Sequence, residues 1–342
     1  MADQMVSSRS GIGSHKTSPS WIPTFLFVGV MLALPVVAPR YWIYFAGLLG
    51  INIIATHGLN IMMGFTGLLS LGHAAFVGVG AYTVALAQIH LGLPFWIAIP
   101  LAGVSAALIG VFFGLPSLRI RGLYLVIATL AAQFILNFIF VHWQSATNGD
   151  VGLTVQPATV FGFPLNTETR VYYLILGVVV FMTWFGANVI RSRVGRAFIA
   201  IRERDLTAQV LGIEMVRYKL IAFALGSFYA GIAGGLLAYF NQFVNPEQFG
   251  ILLSVFFLSA VIVGGMGSTL GAILGAAFMT VVPEILREGA LLGGSAVGFD
   301  MSTILTPLRE TVFGLLMVTF LILEPRGLAR LWTRASKDSR SA

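Results

Sequence analysis

The chain has 342 residues, 57% of them hydrophobic and 10% charged, with a formal net charge of +7 and no cysteine. Soluble domains are about a quarter charged, so a water-soluble enzyme or binding module is excluded; the missing cysteines exclude disulfides, thiolate metal sites and cysteine nucleophiles within the chain. Apolar runs of ~20 residues fit spanning helices rather than the short alternating strands of a barrel, and basic residues in such a chain report orientation rather than nucleic-acid binding.

Residues 1–20 read as a polar tail. The run after it, 21–39, reads as an uncleaved first helix, because no convincing small-residue cleavage site follows. Nine further spans are expected at 42–63, 70–90, 95–115, 123–143, 171–190, 218–240, 250–265, 269–286 and 308–323. The fold class is therefore all-α: a polytopic transmembrane helix bundle of about ten spans. The membrane body is bounded at 21–325 and followed by a tail, 326–342.

Gly-rich breaks fall at 64–72 and 264–268, and the eighth span is short enough for a half-helix. Irregular backbone at that depth survives only where protein buries it or it lines a cavity. Small-residue spacings at Gly110/Gly114, Gly231/Gly235 and Gly267/Gly271/Gly275 predict close helix packing. A re-entrant or surface helix is expected near 287–307.

With the N-terminus inside, sixteen of the twenty basic residues fall in inner segments and four outside. This distribution places both termini in the cytoplasm. It makes 144–170 an outer loop and 191–217 the largest inner loop.

The stretch 191–219 carries ten charges. Spanning would cost ~25–35 kcal/mol at ~2.5–3.5 kcal/mol per charge, so the segment lies outside the hydrocarbon. Ala197, Phe198 and Ile201 share one helical face, and Leu206, Val210 and Ile213 share another. Gly195 and Gly212 bracket the segment. Two readings stay open: an interfacial helix on lipid headgroups, and a docking helix for a cytosolic partner. Glu203 and Asp205 among the arginines favour protein over anionic lipid.

No phosphate-loop motif is present, and none of Lys16, Lys219 and Lys337 follows a glycine. If ATP is used, another chain binds it. Few intramembrane ionisable residues are available: His57, His73, Glu284 and Glu310, with the two glutamates expected near span ends and no buried acid–base pair at helical spacing. That counts against an ion-coupled secondary carrier. No charged ring or carbonyl filter marks an ion channel, and no hydrolase or metalloprotease motif is found.

Polar residues recur within spans. Asn52, Thr56 and Asn60 form a stripe at i, i+4 and i+8, and Gln133 and Asn137 form a second pair. Such side chains either hydrogen-bond neighbouring helices or line a weakly polar pathway. Ser70 and His73 flank the first break. His73 either satisfies the broken backbone or orients the pathway mouth. Asp150, Glu168 and Glu247 are candidate outer contacts.

Three blocks resemble the permeases of branched-chain amino acid ABC importers, in particular their LivM-like subunits. They are "GLNIMMGFTGLLSLGHAAFVGVGAY" from Gly58, the 195–236 stretch ending "YKLIAFALGSFYAGIAGGL", and "VIVGGMGSTLGAILGA" from Val261. "GLYLVIATLAAQFI" and "LRETVFGLLMVTFLILEPRGL" are also similar to the family. The resemblance covers about residues 40–330. It implies that the inner loop is a coupling helix seated on an ATPase, with Gly195, Arg196, Arg202, Glu203, Asp205, Ala208 and Gly212 as coupling residues. Thr207 stands where the family has alanine, and Arg204 replaces a more usual polar or acidic residue. In "TNGDVGL", Asp150 stands where a second glycine is common.

The implied assembly has a LivH-like second permease, two ABC ATPase subunits and an extracytoplasmic substrate-binding protein, in the lipid of a bacterial inner membrane. The chain itself holds no cofactor; ATP and magnesium belong to the ATPases. It would carry no catalytic or metal site. Asp150, Glu168 and Glu247 would meet the binding protein, and the cargo would be leucine, isoleucine or valine. The same architecture also serves urea and short amides. A self-powered carrier and a passive channel are the rivals from other classes.

Overall fold

The computed structural model describes residues 39–117, 122–160, 163–164 and 167–297, with isolated positions 29, 35, 314, 315, 318 and 327–329. The expected spans at 21–39 and 308–323 and both tails lie outside the described residues. Within them, eight helices are long and apolar enough to cross a membrane.

In chain order the helices are α1 Arg40–Leu59, α2 His73–Leu91, α3 Phe95–Ser117, α4 Leu123–His142 and the short α5 Gln144–Thr147. After an irregular segment come α6 Glu168–Arg191, α7 Arg193–Glu203, α8 Asp205–Val210, α9 Met215–Asn241, α10 Ile251–Gly264 and α11 Thr269–Val297. Two-residue strands β1 (Leu153–Thr154), β2 (Thr159–Val160), β3 (Phe163–Pro164) and β4 (Phe243–Val244) form two antiparallel ladders, β1 with β4 and β2 with β3.

Helix α1 occupies the centre. It packs against α6, α9, α10 and α11, and from Asn52 to Leu59 every residue is buried. Burial on every side calls for a helix that is mainly apolar, and Asn52, Thr56 and His57 are the polar exceptions buried within it. Helix α9 lies beside it and carries the tightest contacts, with α2 and α3. Small residues explain why. A Cβ on Gly80 would collide with the backbone of Gly231, and one on Gly234 with the carbonyl of Val77. Gly110 rests on Ser227, and Gly114 on Phe223. At the α10–α11 contact, Gly275 approaches the Ala260 carbonyl. Backbones this close are what the expected small-residue spacings allow.

The helices alternate in direction, so the loops gather at two ends. One end holds the breaks at 66–72 and 265–268 together with the 191–214 segment. It carries Arg191, Arg193, Arg196, Arg202, Arg204, Arg217 and Lys219, and is called here the basic end. The opposite end holds 143–160 and 242–250, strapped together by the β1–β4 ladder, in which Leu153 faces Val244. Gln88 at the end of α2 adds a two-way clasp: it donates to the Gln156 carbonyl at 3.1 Å and accepts from the Gln156 amide at 2.8 Å.

Two differences from the sequence reading have physical causes. Helix α1 does not stop at the first glycines but runs on as a π-helical turn, Asn60–Phe65, stabilised by tertiary bonds described below. Helix α11 continues to Val297 instead of giving way to a separate element near 287; the remainder of 287–307 lies outside the described residues. A partly exposed acid–base pair also lies at helical spacing: Arg287 Nε donates to Glu284 Oε1 at 2.7 Å, and Glu284 also accepts from Tyr41. Glu284 is buried and Arg287 is partly exposed, so the pair ties the start of α1 to α11 at the end opposite the arginine cluster.

Candidate functional site

The charged 191–214 segment folds as two short helices at the basic end. Ser192 caps α7 by accepting from the Val194 amide at 3.1 Å. The inward face of α7 is Ala197, Phe198 and Ile201, all buried, as their spacing predicts. Gly195 is buried so closely over the Ile190 carbonyl that a Cβ has no room. Arg196 is exposed and donates to the Arg191 carbonyl at 3.3 Å; Glu203 is exposed too.

Helix α8 divides differently from the sequence pattern. Leu206 is 69% exposed and Val210 87%, and Leu211 beside them is exposed as well. Ile213, expected on the same face, instead packs with Ile201, Ala208 and Met215. The reason is the turn: α8 ends at Val210, and Gly212 adopts a φ of +80° that reverses the chain. Ala208 is thereby buried beneath the helix, while Leu206 and Val210 point away from the bundle. An apolar knob on a charged loop, aimed off the protein, results.

Arg202 joins this loop to the bundle. Its guanidinium donates to the Gly64 carbonyl in the π-helical turn and lies against Gly267, while its Cα, Cβ and Cγ lie against Gly67. Asn60, one turn earlier, accepts from the Gly267 amide and donates to the Ser268 carbonyl, both at 2.9 Å. The loop, the end of α1 and the break before α11 thus meet at one point. Two glycine-rich breaks that are some two hundred residues apart in sequence share a single asparagine.

The break before α2 is handled by side chains from other helices. A helix start leaves its first amides without partners. Here the Leu71 amide donates to Thr129 Oγ1 (3.0 Å) and Gly72 to Ser70 Oγ (3.3 Å). Ala74 donates to Ser254 Oγ (2.9 Å) and Ala75 to Gln133 Oε1 (2.9 Å). Gln133 further accepts from Ser254 Oγ (3.2 Å) and donates to the Phe249 carbonyl (2.6 Å). One buried glutamine therefore links α4, α2, α10 and the turn before α10.

The remaining stripe residues are also interior. Asn52 donates to Thr280 Oγ1 at 3.1 Å, tying α1 to α11. His73 Nε2 lies 2.8 Å from the Ala55 carbonyl, and its ring meets Phe257 edge-on. Among the described residues, Thr56 Oγ1, Asn137 Oδ1 and both His57 nitrogens have no hydrogen-bond partner. His57 stacks on Tyr229, whose hydroxyl donates to the Met182 carbonyl at 2.7 Å.

At the opposite end Asp150, Glu168 and Glu247 are all exposed. Asp150 and Glu247 sit in 3₁₀ turns that pack together, Gly149–Val151 and Pro246–Phe249. Glu168 opens α6, which packs on α1 and α7.

Several contributors were invisible in the sequence. Thr129, Ser254, Ser268 and Thr280 act only through partners on other spans. Lys219 was counted with the loop charges, but α9 begins at Met215, so Lys219 is buried in its second turn and pairs with Asp205 at 3.5 Å. The available signal is that Lys219 already lies inside the apolar span expected at 218–240.

The family model for the permease component of branched-chain amino acid transport systems matches residues 41–321. The LivM permease of the high-affinity branched-chain amino acid transport system of Salmonella typhimurium is 34% identical over 323 residues, covering 87% of this chain and 72% of that protein. Its Escherichia coli K12 counterpart is 34% identical over 331 residues, covering 89% and 74%. The LivH permease of the same organism is 25% identical over 288 residues, covering 79% and 88%. No solved structure matches the chain.

Proposed function

Because the chain belongs to the branched-chain amino acid transport permease family, we propose that it is the LivM-type membrane subunit of an ATP-driven importer of leucine, isoleucine and valine. The observation that carries this reading is the 34% identity to two LivM permeases over more than four-fifths of the chain. The fold supplies the mechanical part: a buried central helix whose end is tied by Arg202 to an exposed loop and by Asn60 to the 265–268 break.

In this reading the chain pairs with a LivH-type permease, two ATPases holding ATP and magnesium, and an extracytoplasmic binding protein. The basic end faces the cytoplasm of a bacterial cell, as its excess of arginine supports. Leu206 and Val210 enter a groove on an ATPase, with Arg196, Glu203 and Asp205 around them. When the ATPases close, α7 and α8 move as one piece. Arg202 passes that motion to the π-helical turn and to the 265–268 break, and the bundle changes the side to which it opens. Asp150, Glu168 and Glu247 present negative charge to the binding protein. Cargo moves along the face shared with the second permease, and this chain performs no hydrolysis of its own.

The test is reconstitution of the complete complex in proteoliposomes. Uptake of labelled leucine is expected only with ATP, both permeases, the ATPases and the binding protein. Uptake by this chain alone, driven by an ion gradient, would sink the reading. Thermal-shift screening of the cognate binding protein against leucine, isoleucine, valine, urea and short amides fixes the cargo.

A further inference from the structure

The basic end contains a cavity that the coupling role leaves unexplained. It has a volume of about 120 Å³ and lies between the 66–69 turn, the start of α4 and the 201–219 segment. Its charged wall is Arg202, Asp205 and Lys219; its apolar wall includes Leu68, Leu69, Leu125 and Ile201.

Two features distinguish it from a packing fault. The first is Lys219. An ammonium carries three donors, this side chain is only 9% exposed, and among the described residues its one ion-pair contact is the 3.5 Å approach to Asp205. A buried ammonium paired at such length lacks acceptors, and leaving it so is costly. The second is Arg202, whose five-donor fork commits one nitrogen to the Gly64 carbonyl. Two cations with donors to spare and one carboxylate thus border an apolar wall.

We propose that this cavity is a second binding site, distinct from the transport pathway, for a small aliphatic α-amino acid. The ligand carboxylate bridges Lys219 and Arg202, and its ammonium turns to Asp205. Its side chain lies on Leu68, Leu69, Leu125 and Ile201. Size agrees: a cavity of roughly 150 Å³ accepts a benzene ring. This one holds the head group and the first side-chain carbons, with a longer tail passing over half-exposed Leu69. Asp205 disfavours a dianion such as phosphate, and the apolar wall favours an aliphatic tail.

The position gives the site a consequence. A ligand there touches the turn after α1, the loop and the beginning of α9 together. It stabilises the arrangement in which the three are closed on one another, and a ligand shifts an equilibrium towards the state it prefers. This rests on the importer reading: the ligand is then the imported product, and its accumulation slows further import.

The experiment uses the complete complex in proteoliposomes with internal ATP, with and without millimolar internal leucine, reading the initial rate of labelled leucine uptake and ATP hydrolysis. Internal leucine is expected to lower both several-fold. Leu69→Trp, which fills the cavity, is expected to abolish the inhibition while keeping the rate into empty vesicles. Lys219→Met is expected to abolish it too, and labelled leucine is expected to bind the wild-type permease–ATPase complex without binding protein but not the Leu69→Trp complex. Absence of inhibition in the wild type, inhibition that survives both Leu69→Trp and Lys219→Met, or inhibition by internal acetate as strong as by leucine each overturn the proposal. Failure of uptake into empty vesicles strikes the importer reading instead.

Discussion

Arg202 spans the gap between the exposed loop and the Gly64 carbonyl, and a planar fork does this in a way a lysine point charge does not. A charged hydrogen bond contributes about 1.5–3 kcal/mol, so Arg202→Ala is expected to lower leucine uptake by about ten- to hundredfold, with ATP hydrolysis retained. Arg202→Lys is expected to recover only part of the uptake. Equal loss of hydrolysis and uptake in the alanine variant would count against a transmitting role. Gln133 and Asn137 offer a contrast at i and i+4. Gln133→Leu orphans the Ala75 amide and the Phe249 carbonyl and is expected to cost about 1–3 kcal/mol per orphaned group, seen as a lower melting temperature of the purified complex. Asn137→Leu removes an oxygen that already lacks a partner and is expected to be near neutral. In the sequence these two residues look alike; which of them reaches the exposed amides of α2 is decided by how α4 is rotated in the bundle.

Helix α8 carries its chemistry on two residues, Leu206 and Val210. Their joint replacement by aspartate is expected to abolish co-purification of the ATPases while leaving membrane insertion intact; full recovery of the ATPases would remove this surface as the docking site. The cost of burying ten charges made the loop legible in the sequence, and the spacing of Ala197, Phe198 and Ile201 correctly gave the inward face of α7. The faces of α8 were not legible. Six residues make too short a helix for periodicity to decide, and the +80° φ at Gly212 sends Ile213 back to the core. The π-helical turn was equally hidden, because its stabilising bonds come from residues 267 and 268.

At the scale of the molecule, seven of the eight described spans were legible to within a few residues, since a run of apolar side chains of membrane length has one stable form in lipid; α11 was legible at its start but runs on from the expected 286 to Val297. Their neighbours were less so: small-residue spacing marked the contacting faces of α3, α9 and α11 but not which helix meets which. The alternation of the spans makes a direct prediction. The chain has no cysteine, so Asp150→Cys and Val210→Cys each introduce a unique thiol. A membrane-impermeant thiol reagent added outside intact cells is expected to label the first and spare the second, with both labelled after lysis. Labelling of Val210→Cys in intact cells would reverse the assigned orientation.

The π-helical turn at Asn60–Phe65 also bears on how this permease tolerates change in length. Such a turn holds one residue more than the α-turn it replaces. Losing that extra residue lets the end of α1 close to ordinary helix with everything beyond it kept in phase, whereas losing one residue from the regular helix before it swings everything beyond by about 100° round the axis. A deletion within Arg40–Leu59 therefore turns Gly64 away from Arg202 and brings the chain into the 66–72 break on the wrong side. The Asn60–Phe65 turn is the stretch of α1 that absorbs a one-residue change in length most readily.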